Sequence, residues 1–201
     1  MVIKKNRLDM IISFLSNILR LNFNFFFCGF ISSTQTSISL FVKKEYLLIV
    51  LNFLKYSGLF RFNTLLDIFA VDCLSRSSSY RFLVYYVLFS RTFGLTLTVK
   101  VPLSEIDIIT SVTGVYVGAE WLEREVYDMY GIYFLNSKDM RRILTDYGFE
   151  GFPLRKDFPL TGFFELNYSE EEKVVISLPT KVNQALRLFH FSSVWDLTKK
   201  N

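Results

Sequence analysis

Residues 123 to 162, EREVYDMYGIYFLNSKDMRRILTDYGFEGFPLRKDFPLTG, crowd thirteen charges, four glycines and two prolines among aromatic residues. Seven charges are acidic (Glu123, Glu125, Asp128, Asp139, Asp146, Glu150, Asp157) and six are basic (Arg124, Lys138, Arg141, Arg142, Arg155, Lys156). The segment is therefore nearly neutral but rich in opposite charges that can pair. It suits a polar protein interface better than an apolar core or a nucleic-acid track.

The other 161 residues are far more apolar. At 201 residues the chain has room for one domain of ordinary size, or one domain with an extended arm. It holds 22 phenylalanines and 11 tyrosines with only 21% charged residues, so much apolar surface must be buried within the fold or against a partner. Phe, Ile, Asn, Tyr and Lys are also the residues of A/T-rich codons, a bias that hints at an organelle genome. The net charge of +4 is not gathered into a phosphate-tracking stripe, which disfavours nucleic acid. Lys4, Lys5 and Arg7 precede an apolar stretch, but Asp9 interrupts it and no small-residue cleavage site follows. Between Met10 and Phe30 polar residues recur at Ser13, Ser16, Asn17, Arg20, Asn22 and Asn24, so no apolar run reaches the roughly 18 residues of a membrane span. No transmembrane helix is expected.

Apolar spacing predicts an amphipathic helix over residues 8–20 and another from Lys44 to Lys55, with Gly58 at its end. Phe25–Ile31 and Ser37–Val42 read as strands. Phe62–Val71, Tyr80–Ser90 and Leu95–Leu103 read as consecutive antiparallel strands joined by turns at Arg76–Ser79 and Arg91–Gly94. Ser104 followed by Asp107 has the spacing of a capping box, which predicts a helical turn. A further helix spans Ala119–Tyr130, its apolar stripe formed by Leu122, Val126, Met129 and Tyr130, and Gly131 closes it. Glu120, Arg124 and Asp128 lie opposite that stripe at the four-residue spacing of helical ion pairs. Residues 135–170 show no period, and Val174–Leu178 is one last strand. The expected fold class is α+β, a mostly antiparallel sheet covered by helices over residues 1–133, followed by an extended, largely irregular C-terminal arm over 134–201 that lies on partner subunits.

Catalytic and ligand-binding patterns are scarce. Glu123, Glu125 and Asp128 could shift one another's pKa, but Arg124 on the same turn invites ordinary ion pairs and no nucleophile is near in sequence. Cys28 and Cys73 lie far apart in apolar contexts, and His190, between two phenylalanines, is the only histidine. Structural zinc and iron-sulfur sites commonly take four Cys or His ligands, so no metal site is expected. Neither GxGxxG nor GxxxxGK[ST] occurs. No catalytic, cofactor or metal residue is expected in this chain.

These residues carry a resemblance. Glu123-Arg124-Glu125, Asp128, Arg141-Arg142-Ile143-Leu144-Thr145-Asp146-Tyr147-Gly148-Phe149-Glu150-Gly151 and Arg155-Lys156-Asp157-Phe158-Pro159-Leu160 closely resemble the signature of the 30-kDa-type subunit of respiratory complex I, the proton-pumping NADH:quinone oxidoreductase. Weaker similarity includes Leu65–Asp72 and the last strand. The sequence departs from that pattern at Ser137 and Phe152, where the family usually has histidine.

The resemblance implies a non-redox scaffold of the peripheral arm. It would support assembly and the quinone-reduction region, beside the 49-kDa-type subunit and the iron-sulfur subunits, with FMN, the clusters and ubiquinone held by neighbours. It would be an enzyme only as part of that complex. Glu123, Arg124, Glu125, Asp128, Arg141, Arg142, Asp146, Arg155, Lys156 and Asp157 would then sit at partner interfaces or anchor the arm. With the coding bias, the expected location is the matrix side of the mitochondrial inner membrane, the chain being organelle-encoded. Two alternatives remain: the equivalent scaffold of a related membrane-bound electron-transfer complex, and a free-standing basic adaptor for RNA or a membrane surface.

Overall fold

The computed structural model describes residues 27–30, 37–58, 60–74, 79–182, 184, 187 and 189. The helix expected over residues 8–20, most of the turn at 76–79 and His190 lie outside the described residues, as does the Cys28 side chain. Two compact units are present, Met1–Phe158 and Pro159–Asn201. The first is built on a five-stranded sheet whose order is β1-β2-β5-β4-β3. Its strands are β1 (Phe27–Phe30), β2 (Ser37–Val42), β3 (Thr64–Asp72), β4 (Phe82–Ser90) and β5 (Leu95–Leu103).

Strands β3, β4 and β5 form the expected antiparallel meander, with Tyr86 opposite both Ile68 and Val99. The β2–β5 pair is parallel, with Leu40 opposite Val99, so the sheet is mixed. This follows from the connection: a helix lies between β2 and β3, and the meander of three then returns β5 beside β2 in the same direction. Strict alternation along β5 places Leu95, Leu97, Val99, Val101 and Leu103 on the buried face. Phe82, Val84, Tyr86 and Leu88 continue that face on β4, and Ile68 and Ala70 on β3. On the other face Lys100 lies over the rings of Phe41 and Tyr85, and Phe69 stacks on Tyr85 at 4.8 Å.

Two helices contribute to the core. Helix α1 (Leu47–Tyr56) follows a single 3-10 turn and buries Leu47, Val50, Leu51 and Leu54, the period its sequence predicts. Ser57 in extended conformation ends it, not Gly58, and the next residues turn back so that the Phe62 N–H reaches the Leu54 carbonyl at 3.1 Å. Helix α2 (Ala119–Tyr130) adds Ala119 and Val126 to the same core. Before it, the Asp107 carboxylate accepts the Ser104 N–H at 2.8 Å, one of the two bonds of a capping box, while the Asp107 N–H goes to the Ser104 carbonyl at 3.3 Å. No helix follows them. The chain enters β6 (Ile109–Thr110), which pairs in parallel with β7 (Phe134–Leu135) just beyond α2, and that ladder takes up the backbone groups a helix would have used.

The second unit is described as a hairpin of β8 (Phe164–Ser169) and β9 (Val174–Pro179), the latter containing the strand expected at 174–178. Within the described residues no helix is long and apolar enough to cross a membrane.

Leu51 is wholly buried between helix and sheet. Leu51→Ala should destabilise the first unit by about 2–5 kcal/mol through lost burial and the cavity left behind. Urea unfolding followed by tryptophan fluorescence checks this, and a loss below about 1 kcal/mol would contradict the packing described.

Candidate functional site

Helix α2 carries three buried charged residues, Glu123, Arg124 and Asp128, on an element only 12 residues long. The periodicity that places Val126 on the sheet leaves these charges on other faces. Arg124 and Asp128 are covered by the chain after β7, which folds back over the helix, and Glu123 by residues 111–112 ahead of it. The Asp128 carboxylate, fully buried, receives the backbone N–H groups of Ile143, Leu144 and Thr145 at 3.1, 2.7 and 3.0 Å. It also accepts the Thr145 hydroxyl at 2.7 Å. Three successive amides aimed at one carboxylate form an anion nest, here filled by the protein's own side chain. Burial alone would raise the Asp128 carboxyl, but the Thr145 hydroxyl and the amides of Leu144, Thr145 and Ile143 outweigh it and hold the group below the ordinary carboxylate range.

Arg142 closes the same loop. Its Nη1 lies 3.5 Å from Asp128, 3.4 Å from the Thr145 hydroxyl and 2.9 Å from the Gly151 carbonyl. The expected ladder of Glu120, Arg124 and Asp128 gives way to this arrangement. Arg124 lies over Trp121 and its Nε donates to the Arg141 carbonyl at 3.1 Å, while Asp128 serves the returning segment. The backbone amides offer the carboxylate more bonds, in a more fixed geometry, than an arginine one turn away.

The returning chain then crosses the end of α2. Gly131 caps the helix in the left-handed conformation, φ +75°, with its N–H on the Tyr127 carbonyl at 2.8 Å. A Cβ there would lie 2.6 Å from the Phe152 ring and 2.8 Å from the Arg155 guanidinium, so glycine is required twice over. The Phe152 ring lies between two guanidinium groups, 4.9 Å from Arg142 and 4.6 Å from Arg155. Arg155 in turn donates to the Tyr130 carbonyl at 2.6 Å and pairs with Glu105 at 3.2 Å, and the Leu154 N–H reaches Met129. A second cluster centres on Arg81, which pairs with Asp157 at 2.6 Å, Glu105 at 2.9 Å and Asp72 at 3.7 Å. Asp72 is 4% exposed and accepts the N–H groups of Leu74 and Lys156, both at 2.9 Å. The Arg81 bond holds the Asp157 carboxyl below its usual range.

Glu123 anchors the opposite end of α2. Its carboxylate, fully buried, accepts the Val112 N–H and the Ser111 hydroxyl, both at 2.7 Å. Burial pushes this carboxyl above its ordinary value despite those two bonds. The remaining residues singled out by sequence lie at the surface. Glu125 is exposed, Arg141 pairs locally with Asp139 at 2.7 Å, and the Asp146 carboxylate accepts only the next N–H among its described bonds, at 2.8 Å. Lys156 joins the Arg81 cluster through its backbone. Ser137 makes a long local contact to the Asp139 carbonyl at 3.4 Å. Asp72, Arg81 and Glu105 complete the Arg81 cluster, Thr145 the Asp128 nest and Ser111 the Glu123 end, and no local spacing in the sequence links any of them to its partner.

Residues 139–158 are tied to α2 and to the β3 and β4 ends by the bonds just described, and the first unit extends to Phe158. Chemically, the arrangement holds two chain segments together. Among the described residues no group of three His, Cys, Asp or Glu is arranged to hold a metal ion.

Removing the Asp128 carboxylate leaves three amides, a hydroxyl and a guanidinium facing a gap, so Asp128→Ala should cost about 3–5 kcal/mol in chemical unfolding. Because its folded pKa is depressed, the stability it contributes is fully present above the ordinary carboxyl range, near pH 4, and is lost as pH falls through the depressed value. Glu123 works in the opposite sense. Its raised folded pKa means that the folded state keeps a proton the unfolded chain has released, so stability falls as pH rises from the ordinary carboxyl range through the raised value. Glu123→Gln keeps an acceptor for Val112 and should flatten that fall in unfolding curves collected against pH; an unchanged slope would contradict the assignment.

The family described as "Respiratory-chain NADH dehydrogenase, 30 Kd subunit" matches residues 40–164, more than half of the chain. A relative from Sinorhizobium medicae, named as one of the subunits of NADH-quinone oxidoreductase, is 46% identical over 162 residues, covering 81% of this chain and 80% of that protein. NADH dehydrogenase (ubiquinone) iron-sulfur protein 3 of Beta trigyna is 45% identical over 157 residues, 78% of this chain and 81% of its own length. The corresponding protein of Arabidopsis thaliana is 46% identical over 152 residues, covering 76% and 79%. Among solved structures, a chain of the membrane-bound sulfane sulfur reductase, an archaeal respiratory membrane complex, superposes with a TM-score of 0.60 at 25% identity, over 74% of this chain and 85% of that one. The matched residues include helix α2 and the whole of the charged segment from Glu123 to Gly162, and the chain belongs to the 30-kDa subunit family of the respiratory-chain NADH dehydrogenase, complex I.

Proposed function

We propose that this chain is a non-redox scaffold in the peripheral arm of proton-pumping NADH:quinone oxidoreductase, supporting assembly and the region where quinone is reduced. The observation that carries this reading is the use to which the charged segment puts its side chains. The carboxylates of Asp128 and Glu123, buried enough for acid-base work, are engaged on backbone amides and hydroxyls, and Arg142 and Arg155 on backbone carbonyls and carboxylates. They hold a segment in place instead of opening toward a substrate.

Electron transfer would then be carried by neighbours holding FMN, iron-sulfur clusters and ubiquinone. The name of the plant relatives includes an iron-sulfur protein, but the residues here do not fit such a centre: the sequence contains two cysteines and one histidine in all, and Cys73 is a buried free thiol beside the Val71 carbonyl. The partners fitting this role are the 49-kDa-type subunit and iron-sulfur subunits. The plant and bacterial relatives support a site on the matrix side of the mitochondrial inner membrane, or its bacterial counterpart, and the A/T-rich coding bias favours organelle encoding.

A second reading, the equivalent scaffold of another membrane-bound electron-transfer complex, draws on the archaeal sulfane sulfur reductase. The 45–46% identity to NADH dehydrogenase subunits favours the first. A free RNA-binding adaptor is disfavoured because the basic side chains of the clusters are spent on carboxylates and carbonyls.

The test is replacement of the native chain by Arg142→Ala. Native gels of gently solubilised membranes, stained for NADH oxidation, should show the full assembly depleted and partial assemblies accumulating, with Arg142→Lys intermediate because an ammonium keeps the charge but lacks the planar group that lies over the Phe149 and Phe152 rings. A full-size, fully active band in the alanine variant would remove Arg142 from this role. Recovery of the wild-type chain only in a small RNA-bearing complex would overturn the reading itself.

A further inference from the structure

Strand β3 forms one edge of the five-stranded sheet, and among the described residues no strand pairs with its free side. It runs for nine residues, against four in β1 at the opposite edge. A free edge of that length is a template for another strand. The sequence of the edge adds to the hazard. Thr64-Leu65-Leu66-Asp67-Ile68-Phe69-Ala70-Val71 is apolar, rich in strand-forming residues, free of proline, and carries a single charge. Leu66 and Phe69 are 52% and 40% exposed along it.

Two features break the template at one place. The register with β4 shifts between Leu65 and Asp67, so the edge is bulged there. The exposed Asp67 carboxylate then accepts the N–H of Ile68 at 2.8 Å, occupying a donor that an incoming strand would use. The far end of the strand is closed in another way, since Asp72 takes the N–H groups of Leu74 and Lys156 and lies 3.7 Å from Arg81. Among the described residues no cation pairs with Asp67, and its charge stays in water.

We propose that Asp67 guards this edge, its carboxylate preventing a second copy of the chain from adding its own β3 to the sheet. The inference goes beyond the scaffold reading and does not depend on it. Asp67 lies next to the midpoint of residues 64–71, so two copies pairing antiparallel over that stretch would bring both carboxylates into one ladder. Each would lose water and its Ile68 bond while facing a like charge. Without the carboxylate the stretch would pair with its own copy along its whole length.

Light scattering of the full-length chain over a range of concentrations, with hydrogen exchange read on the same samples, tests this. Asp67→Val should self-associate at an about tenfold lower concentration than wild type, the factor that one charge-assisted hydrogen bond corresponds to. Residues 66–71 should gain protection in the associated form while β5 keeps its wild-type protection. Adding Phe69→Lys returns a charge to the edge two residues along and should restore the wild-type concentration dependence. Association no stronger than that of wild type, association without new protection at residues 66–71, or association that the lysine does not relieve would each overturn the proposal. Should the valine variant also lose protection in β5, Asp67→Thr, equally uncharged and suited to a strand, is judged by the same three outcomes.

Discussion

Asp128 is a carboxylate with no exposure to water, and such a group is tolerable only if its lone pairs are filled by donors that burial has also removed from solvent. Three successive amides, a hydroxyl and an arginine fill them. Once residues 143–145 are held in this way, Arg142 is positioned to take the Gly151 carbonyl, Phe152 is drawn over Gly131 between two guanidinium groups, and Arg155 caps the helix carbonyl at Tyr130. The chain then passes Lys156 to Asp72 and Asp157 to Arg81. An aperiodic stretch thus becomes part of a compact unit through directed polar bonds, with little apolar burial of its own.

Much of the sheet is legible in the sequence because its signals are local. The alternation from Leu95 to Leu103 marks a strand with one buried face, and the spacing of Leu47, Leu51 and Leu54 marks a helix. The parallel pairing of β2 with β5 is not legible, since it joins segments more than fifty residues apart and depends on the direction in which the meander returns. The capping box at Ser104 misleads for a related reason. The Asp107 carboxylate takes the Ser104 N–H, yet the next residues find a strand partner at Phe134 that no local pattern announces.

The charged clusters divide in the same way. Asp128, Arg142 and Arg155 stand out because they sit in a dense and recognisable segment. Asp72 and Arg81 do not, because each is one charge at the edge of an apolar strand, and only the pairing of β3 with β4 and the return of residues 155–157 bring them to Asp157. Helical spacing assigns Arg124 and Asp128 to an ion-paired outer face. It misses that the helix has a second covered side, because the segment covering it has no period to detect. Helix α2 is thus the element to which residues 139–158 are tied, on one side by Asp128 and at its end by Arg155.

The Asp128 carboxylate itself holds the returning segment, and native-state hydrogen exchange at the amides of Ile143, Leu144 and Thr145 is the decisive measurement. These three amides should be protected together in the wild-type chain and lose that protection together in Asp128→Asn, with the core strands unaffected. Fast exchange in the wild-type chain, or protection that survives the substitution, would contradict it.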